Sequence, residues 1–124
     1  VKAIGPNRLL AITTGTAYAL QVLTTSVYGR TDQTLKYVLL ALLVPALFVL
    51  MNGWLLKRMG RAPLPLVHPD APGTVMWALV FPLLTLIGAA IPVFVPGHDY
   101  GILIVIAGVW FGLTVQSALA AREP

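Results

Sequence analysis

The chain has 124 residues, 58% of them hydrophobic and only 10% charged, with a mean hydropathy of +0.88. Soluble domains carry about 25% charged residues, and a soluble chain this short buries too little of its surface to hide so much apolar side chain; an all-α integral membrane protein is expected. Cysteine is absent, which excludes disulfides, thiolate metal sites and cysteine nucleophiles, and the net charge of +4 lies beside apolar segments, where it orients a chain in a membrane and gives no reason to expect nucleic acid as a partner.

The first apolar stretch, within residues 8–28, reads LLAITTGTAYALQVLTTSVY from Leu9 to Tyr28. About 20 residues rising ~1.5 Å each match a hydrocarbon core ~30 Å thick. It is longer than a signal-peptide core and has no evident cleavage site, so it is read as a membrane helix. It is also the most polar of four such stretches. Thr14, Tyr18, Gln21 and Thr25 follow one another at spacings of four, three and four, which places them on one helical face. Two roles suit that face. It can pack against neighbouring helices through hydrogen bonds worth roughly 0.5–2 kcal/mol each, or it can line a polar path for a solute. Threonine hydroxyls can also bond back to their own helix backbone.

Gly29 is placed to end this helix, and Arg30 to Lys36 form a short link in which Asp32 is expected to cap the next helix. The second span covers residues 37–57. Pro45, near its middle, removes one backbone donor and crowds the carbonyl of Ala41, so a kink is expected there. Asn52 lies toward the end of the span, and Gly60 suits termination after Met59. The loop at residues 58–73 is the long polar interruption of the sequence. Lys57, Arg58 and Arg61 open it, and Pro63, Pro65, Pro69 and Pro72 predict an extended, partly polyproline II chain. Its His68-Pro69-Asp70 is the tripeptide of J domains, but the soluble amphipathic helices that frame it there are missing, and a solvated loop histidine is expected.

The third span covers residues 74–95. Pro82 and Pro92 loosen the carbonyls of Ala78 and Gly88, which then need a protein or water partner inside hydrocarbon. Gly88, Ala89 and Ala90 allow another helix to come close. Pro96-Gly97-His98-Asp99 is a tight turn, with Asp99 placed to cap the fourth span at residues 100–121. There Gly108 and Gly112 form a G-x-x-x-G pair, and Gln116 continues the same face with a hydrogen-bonding amide. That packing can lie within the chain or between chains.

Four spans arranged as two hairpins put both termini and the central loop on one side. That side carries Lys2, Arg8, Lys57, Arg58, Arg61 and Arg122, whereas the two links carry only Arg30 and Lys36. Six against two favours cytoplasmic termini and a cytoplasmic loop in a multi-pass protein of the inner (plasma) membrane. Tyr28, Tyr37 and Tyr100 then cluster at the outer interface, with Trp54 and Trp77 at the inner one.

The apolar stretches of the four spans, residues 9–28, 37–56, 74–95 and 100–121, contain no Asp, Glu, Lys, Arg or His. Proton relays and ion-coupled carriers use such groups inside the membrane, and small multidrug transporters carry a glutamate in their first helix, where this chain has only Gln21 as a long polar side chain. Haem or metal in the bilayer calls for histidine, and both histidines lie in loops, so no cofactor is expected. A non-catalytic accessory or structural subunit of a larger membrane complex is therefore expected, in a hetero-complex with partner subunits sooner than a homo-oligomer. Gly88, Gly108, Gly112 and Gln116 are its candidate packing residues. Lys57, Arg58 and Arg61 are its candidate contacts with anionic lipid or an acidic partner surface. The alternative is a small oligomeric transporter or channel with a path along Thr14, Tyr18, Gln21 and Thr25.

Overall fold

The structure, a computed structural model, describes residues 5–62, 66–67 and 73–121. The features expected at Lys2, Pro63, Pro65, His68, Pro69, Asp70, Pro72 and Arg122 lie outside the described residues. All regular structure among those described is helical.

Helix α1 runs Pro6–Tyr28, three residues further out than the apolar stretch alone suggests, because Pro6 takes the first helical position, where its missing N–H costs nothing. Gly29 ends it, its N–H bonding the carbonyl of Thr25. A 3-10 turn, Thr31–Gln33, leads into α2, Thr34–Arg58. Asp32 does not cap α2. The cap position is Gln33, and the Asp32 carboxylate sits in the turn, held 3.2 Å from the Arg30 guanidinium. Helix α2 continues through Pro45 and ends in a Schellman motif. Gly60 adopts a φ of 71°, its N–H bonds Lys57, and the N–H of Arg61 reaches back to Leu56 at 2.8 Å.

The third span is divided. Helix α3, Gly73–Ala78, and helix α4, Val80–Phe94, meet at Leu79. The physical cause is Pro82, which offers no N–H to the carbonyl of Ala78 and presses its ring against it. Helix α5 runs Gly101–Ala121. Its first N–H, that of Gly101, donates to the Asp99 carboxylate at 3.0 Å, so Asp99 does cover the start of this helix.

Packing does not follow chain order. Helix α1 lies mainly against α4 and α5, and α2 lies against α5; the sequence neighbours α1 and α2, and likewise α4 and α5, touch only sparingly. The main core joins Tyr18, Tyr37, Ala41, Ile104 and Ala107, with Trp110 and Phe111 packed on it. A smaller one joins Leu10, Val67 and Ala78. The two short links meet at one end of the helices, where the Gly97 N–H donates to the Tyr28 carbonyl at 2.9 Å and Lys36 pairs with Asp99. Asn7, Val67 and Ser117 meet at the other end.

Among the described residues three segments are long and apolar enough to cross a membrane: Thr31–Arg58, Gly73–Phe94 and Gly101–Ala121. Helix α1, at 23 residues, is about 34 Å long and has the length, but it is not among the three. Of its seven buried residues, Asn7, Thr14, Tyr18, Gln21 and Thr25 carry polar atoms.

Candidate functional site

The polar face of α1 is the most distinctive feature of the interior. Thr14, Tyr18, Gln21 and Thr25 are all buried, at 0 to 5% exposure, and point toward the neighbouring helices. Leu9, Ile12, Leu20, Leu23 and Val27 occupy the outer side of the same helix.

Tyr18 answers the need that Pro45 creates in α2. Proline at position 45 leaves the carbonyl of Ala41 without its helical donor. The Tyr18 hydroxyl donates to that carbonyl at 3.0 Å, across from α1. Its ring stacks on Phe111, with centroids 5.2 Å apart. Nearby, Thr24 donates to the carbonyl of Ala89 in α4 at 2.7 Å, and the Trp110 indole of α5 donates to the Thr85 hydroxyl of α4 at 2.8 Å. Three buried oxygens on the α1 face have no hydrogen-bond partner among the described residues: Thr14 Oγ1, Gln21 Oε1 and Thr25 Oγ1.

The glycines give these groups their room. A Cβ on Gly88 would lie 2.9 Å from the Gln21 amide nitrogen, so the amide of α1 rests directly on the backbone of α4. On α5, a Cβ at Gly108 would come within 2.8 Å of Val44, and one at Gly112 within 2.8 Å of Phe48. Four residues on, Asn52 donates to the amide oxygen of Gln116. The face formed by Gly108, Gly112 and Gln116 is therefore seated on α2 within this chain.

At the end where the chain begins, Asn7 pairs with the backbone of Val67 in both directions, at 2.9 and 2.8 Å. Ser117 donates to Asn7 at 2.7 Å and accepts from the N–H of Leu66 at 2.7 Å. These buried bonds tie the central loop to the start of α1 and the end of α5. Asn7 and Ser117 were not singled out from sequence, since nothing local marks two polar residues 110 positions apart as partners. The pairing of Trp110 with Thr85, 25 positions apart, is unmarked in sequence for the same reason. Lys57, Arg58 and Arg61 are exposed at this end, and the Arg58 guanidinium lies 5.0 Å from the centre of the Trp54 ring.

At the opposite end the Asp99 carboxyl is held at about 2, below its usual 3.8. The Lys36 ammonium is the largest cause, followed by the Gly101 N–H, with the Tyr37 hydroxyl adding to it. Among the described residues no three His, Cys, Asp or Glu side chains gather where a metal ion would need them. Set against known protein families, curated proteins and solved structures, the chain matches none of them.

Proposed function

We propose that the chain is a non-catalytic subunit of a larger membrane protein assembly, crossing the inner membrane four times with both termini and the basic loop in the cytoplasm. The observation that carries this reading is where the polar groups go. Most hydroxyls and amides of the spans are buried inside the chain beside close-packed glycines, and the apolar stretches between the charged helix ends bring no carboxylate, ammonium or imidazole with which to couple a proton or run acid–base chemistry. What remains outward is mostly apolar, and the exposed hydroxyls of Thr13 and Thr16 bond back to their own helix. Of the 25 residues of α2 only Tyr37, Ala41 and Pro45 are buried, and Leu43, Leu47, Met51 and Trp54 form an exposed stripe at helical spacing. That stripe is the contact proposed for a partner's membrane helix. The test is purification from native membranes in mild detergent, with mass spectrometry of what accompanies the chain. A stoichiometric membrane partner released by Leu47→Arg is the expected result. A chain that arrives alone, or only with copies of itself, removes the proposal.

A second reading is favoured by one observation. Thr14, Gln21 and Thr25 present oxygens that have no partner among the described residues, at intervals along α1, as a path for a small uncharged solute would. Purified chain in liposomes tests it. Saturable flux abolished by Gln21→Leu and by Thr14→Val establishes transport and displaces the first reading.

A further inference from the structure

We infer that the α2–α5 surface holds one anionic phospholipid, its acyl chain in a groove over Pro45 and its headgroup at Lys57. The inference rests on the membrane reading above. The groove has a volume of about 490 Å³, is open on one side, and is lined only by apolar side chains, chief among them Ala41, Pro45, Ala46, Val49, Phe111 and Val115. That volume falls within the range of ordinary ligand sites. The cause is local. Ala41 and Ala46 carry single methyl groups on either side of the proline, so the α2 surface is low here while Phe111 and Val115 of α5 stand up as the opposite wall.

On α2 the groove's own lining reaches Val49 and Leu50. Continuing the same side of α2 by helical spacing, the next residues are Gly53 and Lys57. A side chain at Gly53 would meet only the Gln116 amide, 3.5 Å away, so the surface stays low as far as the last turn. Lys57 is exposed and stands at the end of that line. From Pro45 to Lys57 the helix rises about 18 Å, close to the ~15 Å depth of one leaflet of the hydrocarbon core. A phospholipid whose phosphate sits at Lys57 therefore lays its acyl chain along the groove and reaches its floor at the proline.

Charge selects the headgroup. Arg58 and Arg61 flank Lys57, and the described carboxylates, Asp32 and Asp99, lie at the other end of the helices. Arg58 is steadied over the Trp54 ring, which keeps a second cation at the interface. Helix α2 also offers a stripe to a partner protein: Leu47 and Met51 lie on the side of the helix away from Pro45 and Val49, and Leu43 borders the groove beside Leu50.

The experiment is native mass spectrometry of the full chain, extracted in mild detergent from membranes containing both zwitterionic and anionic phospholipids. The parent should carry one phospholipid, enriched in anionic species. Ala46→Trp fills the groove from an exposed position and should lower the bound fraction at least tenfold. Leu23→Trp, at an exposed position on the outer side of α1, should leave it unchanged. Lys57→Gln should keep a lipid but lose the preference for anionic headgroups. Equal retention by Ala46→Trp with unchanged melting, or a two-chain species that disappears in that variant, overturns the inference; the latter outcome assigns the groove to a second copy. Resistance of the chain to carbonate extraction is read separately, so loss of the lipid site and loss of the membrane reading give different results.

Discussion

Tyr18 and Pro45 form a pair whose logic is visible only when both are considered together. The proline removes a donor from inside α2, and the phenol supplies one from α1. Tyr18→Phe should cost about 1–2 kcal/mol of stability in mixed micelles, since a buried carbonyl loses its partner. Pro45→Ala gives the carbonyl of Ala41 a helical N–H again. In that background Tyr18→Phe should cost less than about 0.5 kcal/mol, and equal losses in both backgrounds would sink the account. Asp99 offers a second residue-scale test. Its carboxyl titrates at about 2 in the folded chain against an ordinary 3.8. The depressed value means that its contribution to stability is present above about pH 4 and is lost as the pH falls through about 2. Carbon-detected NMR of the Asp99 carboxyl should show the low midpoint, and Lys36→Met should move it up toward the ordinary value.

At the scale of the helix, composition and spacing carry most of the information. The helix ends at Gly29 and Gly60 and the polar face of α1 follow from local chemistry, because a glycine stop or a four-residue spacing is written in a few consecutive residues. The division of the third span at Leu79 was foreshadowed only as a loosened carbonyl at Ala78, and Asp32 went to Arg30 in place of the helix it precedes, because an ion pair two residues away competed for it. The glycine contacts are also elements in this sense, since they set how near α5 comes to α2. Gly112→Leu should drive the two helices apart and lower the melting temperature of the chain in detergent by several degrees. Ile102→Leu, on the exposed side of α5, should leave it unchanged. An unaltered melting temperature for Gly112→Leu would mean that this approach is not needed for folding.

For the molecule as a whole, the sequence reveals that the chain is helical and apolar, and conceals which helix lies beside which. Hydropathy is a property of a segment, whereas the pairing of α1 with α4 and of α2 with α5 is decided by side chains more than 60 positions apart, such as Thr24 with Ala89 and Asn52 with Gln116. The proposed sidedness rests on Arg8, Lys57, Arg58 and Arg61 at one end against Arg30 and Lys36 at the other. Cysteines placed singly at Ala62 and His98 test it. An impermeant maleimide should label the second in intact cells and the first only after permeabilisation; the opposite pattern reverses the insertion.

The contacts between α2 and α5 have a consequence for slippage. Val44 meets Gly108, Phe48 meets Gly112, and Asn52 meets Gln116, each pair 64 positions apart in sequence. Sliding α2 by one turn toward the start of α5 would set Phe48 over Gly108, a bulky side chain over a glycine as before. The two glycine contacts alone would thus tolerate a second alignment. The same slide would carry Asn52 to Gly112 and strand the Gln116 amide in an apolar surrounding. A single polar pair thereby separates two packings that shape alone would leave nearly degenerate. Replacing both amides with leucine should therefore give a chain that still folds but populates two alignments, seen as doubled amide resonances along α5.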